Sequence, residues 1–240
     1  MSTGASTPRL LGSATKCLAL LDALASEAGP AGVSELARRT TTARGTTYQR
    51  LQTLVAAGWV EAVGEGKYRL TLRALIVGNA VLEQADLGSR ILPTLTALAA
   101  RTGETSSLAV LDHDAAMIIQ RVASDRALKA DIKTGTRMPL DTSASGRVLI
   151  AFCAEDAVEE VRRSGATMPS TGIVEEARRQ GFAAQHDEYL RGMSSIAVPI
   201  HSTKLGVIAL AITAPSSRYD EVAALQALEA GAAEIALLLH

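Results

Sequence analysis

Apolar residues in the first third of the chain recur at helical spacing in two neighbouring segments. In residues 33–39 the apolar positions are Val33, Leu36 and Ala37, which fall on one face of a short helix. Three threonines at 40–42 predict a turn whose hydroxyls cap the start of a second helix. The stripe of that second helix has the spacing i, i+4, i+7 and i+8, at Thr47, Leu51, Leu54 and Val55.

A β-hairpin is predicted directly after these helices, with strands at 59–63 and 67–71 joined by Gly64-Glu65-Gly66. Helix, turn, helix and hairpin in this order predict a winged helix-turn-helix, which indicates DNA binding. Opposite the apolar stripe, Gln49 can pair with an adenine edge and the Thr46 methyl can contact a thymine methyl. The complete predicted DNA-contact set is Arg38, Arg39, Arg44, Gly45, Thr46, Thr47, Gln49, Arg50, Lys67 and Arg69.

Charge and composition support this assignment. Residues 1–70 hold eight Lys or Arg against five Asp or Glu, whereas the whole chain of 240 residues has a net charge of −1. The asymmetry favours nucleic-acid binding by the N-terminal part. Aromatic residues make up only 3% of the chain, which argues against stacking on single-stranded bases. The alternative for this segment is a small helical domain whose arginines only solvate its surface.

Further helices are predicted on both sides of this segment. Before it, Ser13 is expected to cap a helix that ends near Gly29 and packs beneath the recognition helix. After it, residues 72–86 predict a linker helix, whose apolar residues dock on a partner subunit or pack against their own chain. The predicted organisation is a flexible tail at 1–8, a DNA-binding domain at 9–71, a linker and dimerisation helix at 72–88 and a second domain at 89–240.

The second domain mixes helical and alternating patterns. A helix through Ile91, Leu95 and Leu98 precedes a hairpin with strands at 106–111 and 116–122. Additional strands are predicted at 128–133, 195–200 and 207–213, and helices at 146–163, 172–180 and 218–239. A sheet with segregated helices predicts an α+β domain.

Several classes of protein have no support in the sequence. The polar start lacks an apolar signal segment, and no stretch of about 18 uninterrupted apolar residues follows, so a cytoplasmic protein without membrane contact is predicted. Cys17 and Cys153 lie in separate apolar runs, which favours buried thiols over a redox pair. The four histidines are scattered without metal-ligand spacing, so no metal and no cofactor are predicted.

Both halves of the chain contain short motifs that follow one another in a characteristic order. In the N-terminal half they are residues 14–21, Glu35-Leu36-Ala37, 50–54 and 67–70. More specific ones in the C-terminal half are Gly103-Glu104-Thr105, 135–140, 143–147, Gly181-Phe182, Glu188 with Gly192, and Ile196-Ala197-Val198-Pro199. In order and approximate spacing, these motifs resemble those of the IclR-type bacterial transcription regulators over nearly the whole chain.

The resemblance implies a winged helix-turn-helix joined by a linker helix to a GAF-like (PAS-like) effector-binding domain with an antiparallel sheet. It also implies a homodimer or dimer of dimers, which binds pseudo-palindromic promoter DNA and responds to a small-molecule effector. Three positions differ from the family's usual residues: Asp141 replaces a frequent His, Arg147 replaces a frequent Lys, and Gln185 begins a segment that is often acidic. A different effector from the family's commoner small acids is therefore expected.

A candidate effector site lies where residues 141–146 precede the apolar helical run 148–152. The N–H groups of a helix start bind a carboxylate, although the serines there could simply cap the helix. Ser194 and Ser195 could likewise only satisfy a strand end. By resemblance, Ala144, Ser145, Gln185, Ser195, Ala211 and Thr213 occupy ligand-contact positions. A small organic or compact aromatic acid is predicted to contact Met138, Leu140, Asp141, Ser143, Ala144, Ser145, Gln185, Asp187, Ser194, Ser195, Ala211 and Thr213.

Two rival functions have weaker support. An enzyme would need a nucleophile and a base, but residues 142–146 do not form the G-x-S-x-G elbow and no histidine is placed as the base. A DNA-architectural protein without a ligand would leave the second domain without a role, and the chain lacks extended basic tails. A ligand-responsive transcription regulator is therefore the preferred prediction.

Overall fold

The computed structural model describes residues 11–84, 87 and 89–239. The chain splits into two compact units with the boundary between Val81 and Leu82. This boundary falls inside one helix, at 73–84. The predicted tail at 1–8 lies outside the described residues.

The N-terminal unit has the predicted winged helix-turn-helix. Its helices are α1 (Gly12–Ala25), α2 (Val33–Arg39) and α3 (Arg44–Ala56), and its strands are β1 (Ala31–Gly32), β2 (Val60–Ala62) and β3 (Lys67–Leu70). The strands are antiparallel in the order β1-β3-β2. The stripes of the three helices meet in one core with Tyr68 of the wing, where Leu20, Leu36 and Leu51 are fully buried.

The two helix caps predicted in this unit are wrong. Thr40 donates a hydrogen bond to a carbonyl of α2 at 2.8 Å, and Thr42 donates to the carbonyl of Thr40 at 2.9 Å. The residue that precedes α3 is Ala43, which makes no side-chain cap. Ser13 lies within α1, and Leu11 occupies the cap position. A hydroxyl in a turn or helix can bond to a nearby carbonyl instead of capping, and the threonines of this turn do so.

The C-terminal unit is the predicted α+β domain. Its strands are β4 (Thr105–Asp112), β5 (Ala115–Val122), β6 (Arg137–Met138), β7 (Ala183–His186), β8 (Met193–Ser202) and β9 (Gly206–Pro215). They form an antiparallel sheet in the order β6-β5-β4-β9-β8-β7. The helix across the unit boundary is α4 (Arg73–Gln84), and those after it are α5 (Leu92–Thr102), α6 (Ala144–Phe152), α7 (Glu155–Ser164), α8 (Thr171–Gln180) and α9 (Glu221–Leu238).

Three element predictions in this unit need correction. Residues 128–133 are not a strand, and the short strand β6 lies later, where it pairs with β5. The predicted helix at 146–163 is two helices, α6 and α7, separated at 153–154. The edge strand β7 is absent from the prediction because its sequence, Ala-Ala-Gln-His, has weak strand propensity and is held by pairing with β8.

The two faces of the sheet differ in side-chain size. Large apolar residues, including Leu108, Ile196 and Leu210, pack against α5 and α9. On the other face α6 packs against small residues such as Ala197 and Ala211. Successive residues of a strand point to opposite faces, so each strand contributes to both layers. The small face leaves α6 close to the sheet, and most of the predicted effector residues lie around this contact.

Candidate DNA interface and effector site

The polar face of α3 is exposed as predicted. Gly45, Thr46 and Gln49 are all exposed, whereas Leu51 and Leu54 are buried beneath them. Thr47 is wrong as a predicted DNA contact, because its side chain is 0% exposed and its hydroxyl donates to the carbonyl of Ala43 at 3.1 Å. It belongs to the stripe that holds α3 to the core.

The predicted phosphate contacts fall into two groups. Arg38, Arg44 and Lys67 are exposed, and within residues 11–84, 87 and 89–239 they make no ion pair. Arg39 instead pairs with Glu27 at 2.5 Å, and Arg69 pairs with Glu61 at 2.6 Å. Arg50 is half-buried and donates to the hydroxyl of Thr42 at 3.5 Å. The first group is the more available to DNA, since surface ion pairs compete with a phosphate for the guanidinium.

Tyr48 is an exposed residue beside the predicted DNA-contact face that the sequence interpretation did not include. Its side chain is 48% exposed and lines a groove of about 620 Å³ together with Arg44, Gly45 and the wing residue Gly66. Tyr48 lies roughly 100° around the helix from Thr47, because one residue turns an α-helix by that angle. Tyr48 lies between the stripe and the residues opposite it, so the helical period alone does not mark it as exposed.

The helix α6 starts with a side-chain cap. The N–H of Gly146 donates to Oγ of Ser143 at 3.0 Å, and Ser143 donates to the carbonyl of Pro139 at 2.5 Å. The capping alternative is therefore confirmed for Ser143, whose hydroxyl is already engaged. Ser145, two residues further along, is buried, and its hydroxyl makes no hydrogen bond with any described residue.

Four polar side chains form a row across the small face of the sheet. Thr105 is paired in register with Thr213, Thr213 with Ser195, and Ser195 with Gln185. All four residues are buried. The row brings together the predicted residues Gln185, Ser195 and Thr213 and adds Thr105, which the sequence interpretation missed because cross-strand neighbours are far apart in the chain.

A second row lies two residues along the strands. Ser107 pairs with Ala211, Ala211 with Ala197, and Ala197 with Ala183, all of them buried. These side chains are small, and the alanines among them pack in the core cluster that includes α6. In the part of the chain that is described, the hydroxyls of Ser107 and Thr213 make no hydrogen bond, so they remain available to a ligand.

Gln185 holds a loop together. Its Oε1 accepts hydrogen bonds from the N–H groups of Glu188 at 3.0 Å and Tyr189 at 3.4 Å. Its Nε2 donates to the carbonyl of Met193 at 3.3 Å and to Oγ of Ser195 at 3.1 Å. A side-chain amide has two donor hydrogens and one acceptor oxygen, so this set leaves little capacity for a ligand.

A buried arginine, Arg147, lies next to this loop, and its structural role was not predicted from the sequence. Arg147 is 6% exposed and donates to the carbonyls of Asp141 at 2.7 Å and Ala184 at 2.8 Å. It also forms an ion pair with Glu188. Arg147 thus ties the start of α6 to β7 and the following loop, and its burial requires these partners.

Two predicted ligand contacts are placed away from the polar row. Ser194 points to the sheet face opposite Ser195, and its Oγ lies 2.8 Å from that of Ser216 and 3.3 Å from Nδ1 of His186. Asp187 is an exposed turn residue that accepts hydrogen bonds from Ser216 at 2.8 Å and from the N–H of Gly192 at 2.6 Å. These bonds, first of all the one from Ser216, lower the pKa of the Asp187 carboxyl. Alternation and local turn bonds direct both side chains away from the polar row, so they are left out of the site proposed below.

The remaining predicted residues form the packing around α6. Met138 and Leu140 are buried in the same core cluster as Ala144 and Ala211. Asp141 is half-buried beside them and contributes its carbonyl to Arg147. The polar hydroxyls of the sheet and the apolar residues around α6 thus lie close together, a combination that small-molecule sites also have.

Other kinds of site receive no support from the described residues. Within them, no cluster of three or more His, Cys, Asp or Glu is placed to hold a metal ion. No helix among them is long and apolar enough to cross a membrane. Cys17 and Cys153 are free thiols and are half-buried, so they are less enclosed than the predicted buried thiols. Burial raises the pKa of the Cys153 thiol.

Comparison with known proteins agrees with this architecture. Residues 13–64 match the IclR helix-turn-helix domain, and residues 79–237 match the bacterial transcriptional regulator IclR C-terminal domain. The chain is 31% identical over 228 residues to the HTH-type transcriptional regulator KdgR of Escherichia coli, covering 89% of this chain and 86% of KdgR.

Solved structures show the same fold. HmgR of Pseudomonas aeruginosa superimposes with a TM-score of 0.76 at 26% identity, covering 95% of this chain and 98% of HmgR. An IclR homologue from Microbacterium hydrocarbonoxydans, complexed with 4-hydroxybenzoate, superimposes with a TM-score of 0.78 at 22% identity, covering 95% of this chain and 98% of that one. The family matches cover both units, and the proteins of this family are transcription regulators and not enzymes. The chain therefore belongs to the IclR family of bacterial transcriptional regulators.

Proposed function

We propose that this protein binds promoter DNA through α3 and the wing and changes its DNA affinity when a small organic acid occupies the α6 side of the sheet. The observation that carries the DNA part is the exposed face of Gly45, Thr46 and Gln49, beside which Arg44 and Lys67 make no ion pair with any described residue. Gln49 and Thr46 supply sequence choice, whereas the cations supply affinity for phosphates.

The proposed effector is a small organic or compact aromatic acid. Hydroxyls of Ser107, Ser145 and Thr213 make no hydrogen bond within the described residues and can bond to ligand oxygens. The start of α6 favours a carboxylate, because backbone N–H groups there carry partial positive charge. The 4-hydroxybenzoate bound by the Microbacterium homologue is an acid of this class, which supports the proposal.

We further propose that the protein works as a dimer or a dimer of dimers on a pseudo-palindromic site, as a repressor. The apolar side chains of α4 are exposed, which is the arrangement expected of a helix that a second subunit covers. Ligand binding would then favour one of two spacings of the recognition helices. The relatives include the acetate operon repressor of Salmonella typhimurium, which supports repression.

Fluorescence anisotropy of the purified protein on its own upstream DNA tests the proposal. Gln49→Ala should reduce the preference for the cognate sequence over a scrambled one, by about 1–3 kcal/mol. Arg44→Ala should weaken binding to both sequences alike and reduce the salt dependence by roughly one phosphate contact. Arg163→Ala, an exposed arginine of α7, is the matched control and should change neither quantity.

The titrations are repeated with 4-hydroxybenzoate, benzoate and short aliphatic acids. A salt-sensitive affinity that one acid changes is the expected result. Absence of binding to any upstream fragment, with and without acids, would contradict the DNA-binding part. Unchanged affinity with every acid would contradict the choice of effector class.

A further inference from the structure

A cavity of about 590 Å³ lies on the face of the sheet opposite the proposed effector site. It is open between the end of α5, the start of α9 and strand β9, all of which belong to the C-terminal unit. Its volume is within the usual range for small-molecule sites, about 300–1,000 Å³. Ile212 and Ala214 of β9 and Ala223, Ala227 and Ala230 of α9 form apolar walls.

The polar walls carry an excess of positive charge. Arg101, Arg126 and Arg218 line the cavity, with only Glu104 and Asp220 as acids. Glu104 is buried and is shared by two of the arginines: Arg126 Nη1 lies 2.9 Å from its Oε1, and Arg218 Nε lies 2.6 Å from the same oxygen. Asp220 is used as the cap of α9, where its Oδ1 accepts from the N–H of Ala223 at 3.0 Å.

Arg101 has no carboxylate partner within the described residues. Its Nη2 donates to the carbonyl of Ala227 at 2.9 Å, which holds the guanidinium at the cavity wall. A guanidinium has five N–H donors, so donors remain for a second acceptor. Two parallel bonds to a carboxylate are the preferred use of such a group.

The neighbouring residues hold the polar wall in place. Gly103 has φ +70°, and a Cβ added there would lie 2.6 Å from Nη2 of Arg126, so the glycine makes room for this arginine. Arg218 also donates to the carbonyl of Leu128 at 2.6 Å. The hydroxyl of Tyr219, in the same wall, is buried without a hydrogen-bond partner among the described residues. Burial raises its pKa, with the charges of Glu221 and Asp220 adding to the effect, so it stays protonated and keeps a hydrogen to donate.

We propose that this cavity is a second small-molecule site, which takes a monocarboxylate with a compact apolar body. The carboxylate pairs with Arg101, and the apolar body lies against the alanines of α9 and Ile212. Strand β9 links the two sites, because Ile212 and Ala214 face this cavity while Ala211 and Thr213 face the proposed effector site. The second site is independent of the proposed function, and ligand binding in this cavity tests it directly.

Alanine-methyl NMR of the full chain locates the ligand. Benzoate is the probe, and benzamide is its neutral counterpart of nearly equal shape. Benzoate should shift the methyl signals of Ala223, Ala227 and Ala230, and benzamide should bind about tenfold more weakly because it lacks the charge. Signals of Ala197 and Ala211 report the other face of the sheet and separate the two sites.

Two variants test the binding mode. Arg101→Gln should weaken benzoate binding at the α9 alanines about tenfold, whereas Arg163→Gln on α7 should leave it unchanged. Ala230→Met should fill the cavity and abolish the shifts at Ala223, and Ala233→Met, on the exposed side of α9 outside the cavity, is its control.

The outcomes distinguish this site from the effector site. Shifts confined to Ala197 and Ala211 would overturn the second site and leave the proposed function standing. The carboxylate assignment would be overturned if benzamide shifted the α9 alanines as strongly as benzoate does. It would also be overturned if benzoate bound Arg101→Gln as tightly as the unchanged protein. No shift at either face up to millimolar benzoate would also overturn the second site, and the DNA titrations above would still decide the proposed function.

Discussion

At the scale of single residues, Gly146 sets how closely α6 approaches the segment before it. A Cβ added there would lie 2.5 Å from Cα of Leu140 and 2.6 Å from the carbonyl oxygen of Pro139. Both are backbone atoms, which cannot yield as a flexible side chain can. The same close approach places the Ser143 cap and buried Ser145 at the sheet. The absence of a side chain at Gly146 is therefore a condition for this packing and for the proposed effector site.

Gly146→Ala should lower the free energy of unfolding by about 1–3 kcal/mol, because the methyl group must displace the backbone of residues 139–140. Gly172→Ala in α8 is the control, since no atom lies within 4 Å of its added Cβ. Alanine has the higher helix propensity, so this control should be neutral or slightly stabilising. Urea unfolding of the full chain measures both variants, and equal midpoints would refute the packing argument.

At the scale of elements, α4 stands out because packing within the described chain buries none of its side chains. None of its described side chains is buried, and large apolar ones are exposed at Leu75, Ile76, Val77 and Val81. A 12-residue helix is marginal without packing of its apolar side. This favours the docking alternative of the sequence analysis, in which a second subunit covers α4.

Ile76→Asp should therefore shift the protein toward monomer, because a charge on a covered apolar surface loses its hydration. Ile76 is 71% exposed, and Val222→Asp at a 68% exposed position of α9 is the matched control. Sedimentation velocity across a range of concentrations gives the dimer dissociation constant, which should rise at least tenfold for Ile76→Asp alone. An unchanged constant would show that α4 is not at the subunit interface.

At the scale of the whole molecule, the proposed effector site and the proposed DNA-binding face lie in different units. The hydroxyl row lies in the C-terminal unit, and the exposed face of α3 lies in the N-terminal unit. Loss of a ligand contact should therefore leave DNA binding intact and remove only its response to the ligand. Allosteric coupling of this kind is a difference in ligand affinity between two states.

Ser145→Ala and Thr213→Val should keep the DNA affinity measured without ligand. Each should raise the acid concentration needed for half of the response by about tenfold, the usual effect of one lost hydrogen bond. Ser217→Ala, an exposed serine after β9 that makes no hydrogen bond with a described residue, is the control. Anisotropy titrations with acid at constant DNA provide the comparison. If both variants and the control need the same acid concentration for half of the response, the two hydroxyls do not contact the effector.

The sequence by itself determined the order of most elements and the family. Amphipathic periods of 3.6 and 2 are local properties, so α2, α3, the wing and the long strands β8 and β9 were predictable from neighbouring residues. Local patterns also predicted the exposed polar face of α3. Local patterns did not predict the threonine turn correctly, because its hydroxyls bond to nearby carbonyls instead of capping α3. They also did not predict β7, because that strand is held by its pairing with β8.

Only the tertiary structure decided which side chains share a site. Thr105, Ser195 and Thr213 are far apart in the sequence and meet through strand register alone. Alternation puts the adjacent residues Ser194 and Ser195 on opposite faces, and strand register and packing decided that the face of Ser195 is the one covered by α6. Arg147 supports the loop after β7 because its partners Ala184 and Glu188 come from a distant segment, whereas Gln185 bonds to nearby residues of its own hairpin. Hydrogen bonds and cavities depend on such long-range contacts, whereas helix and strand periods do not.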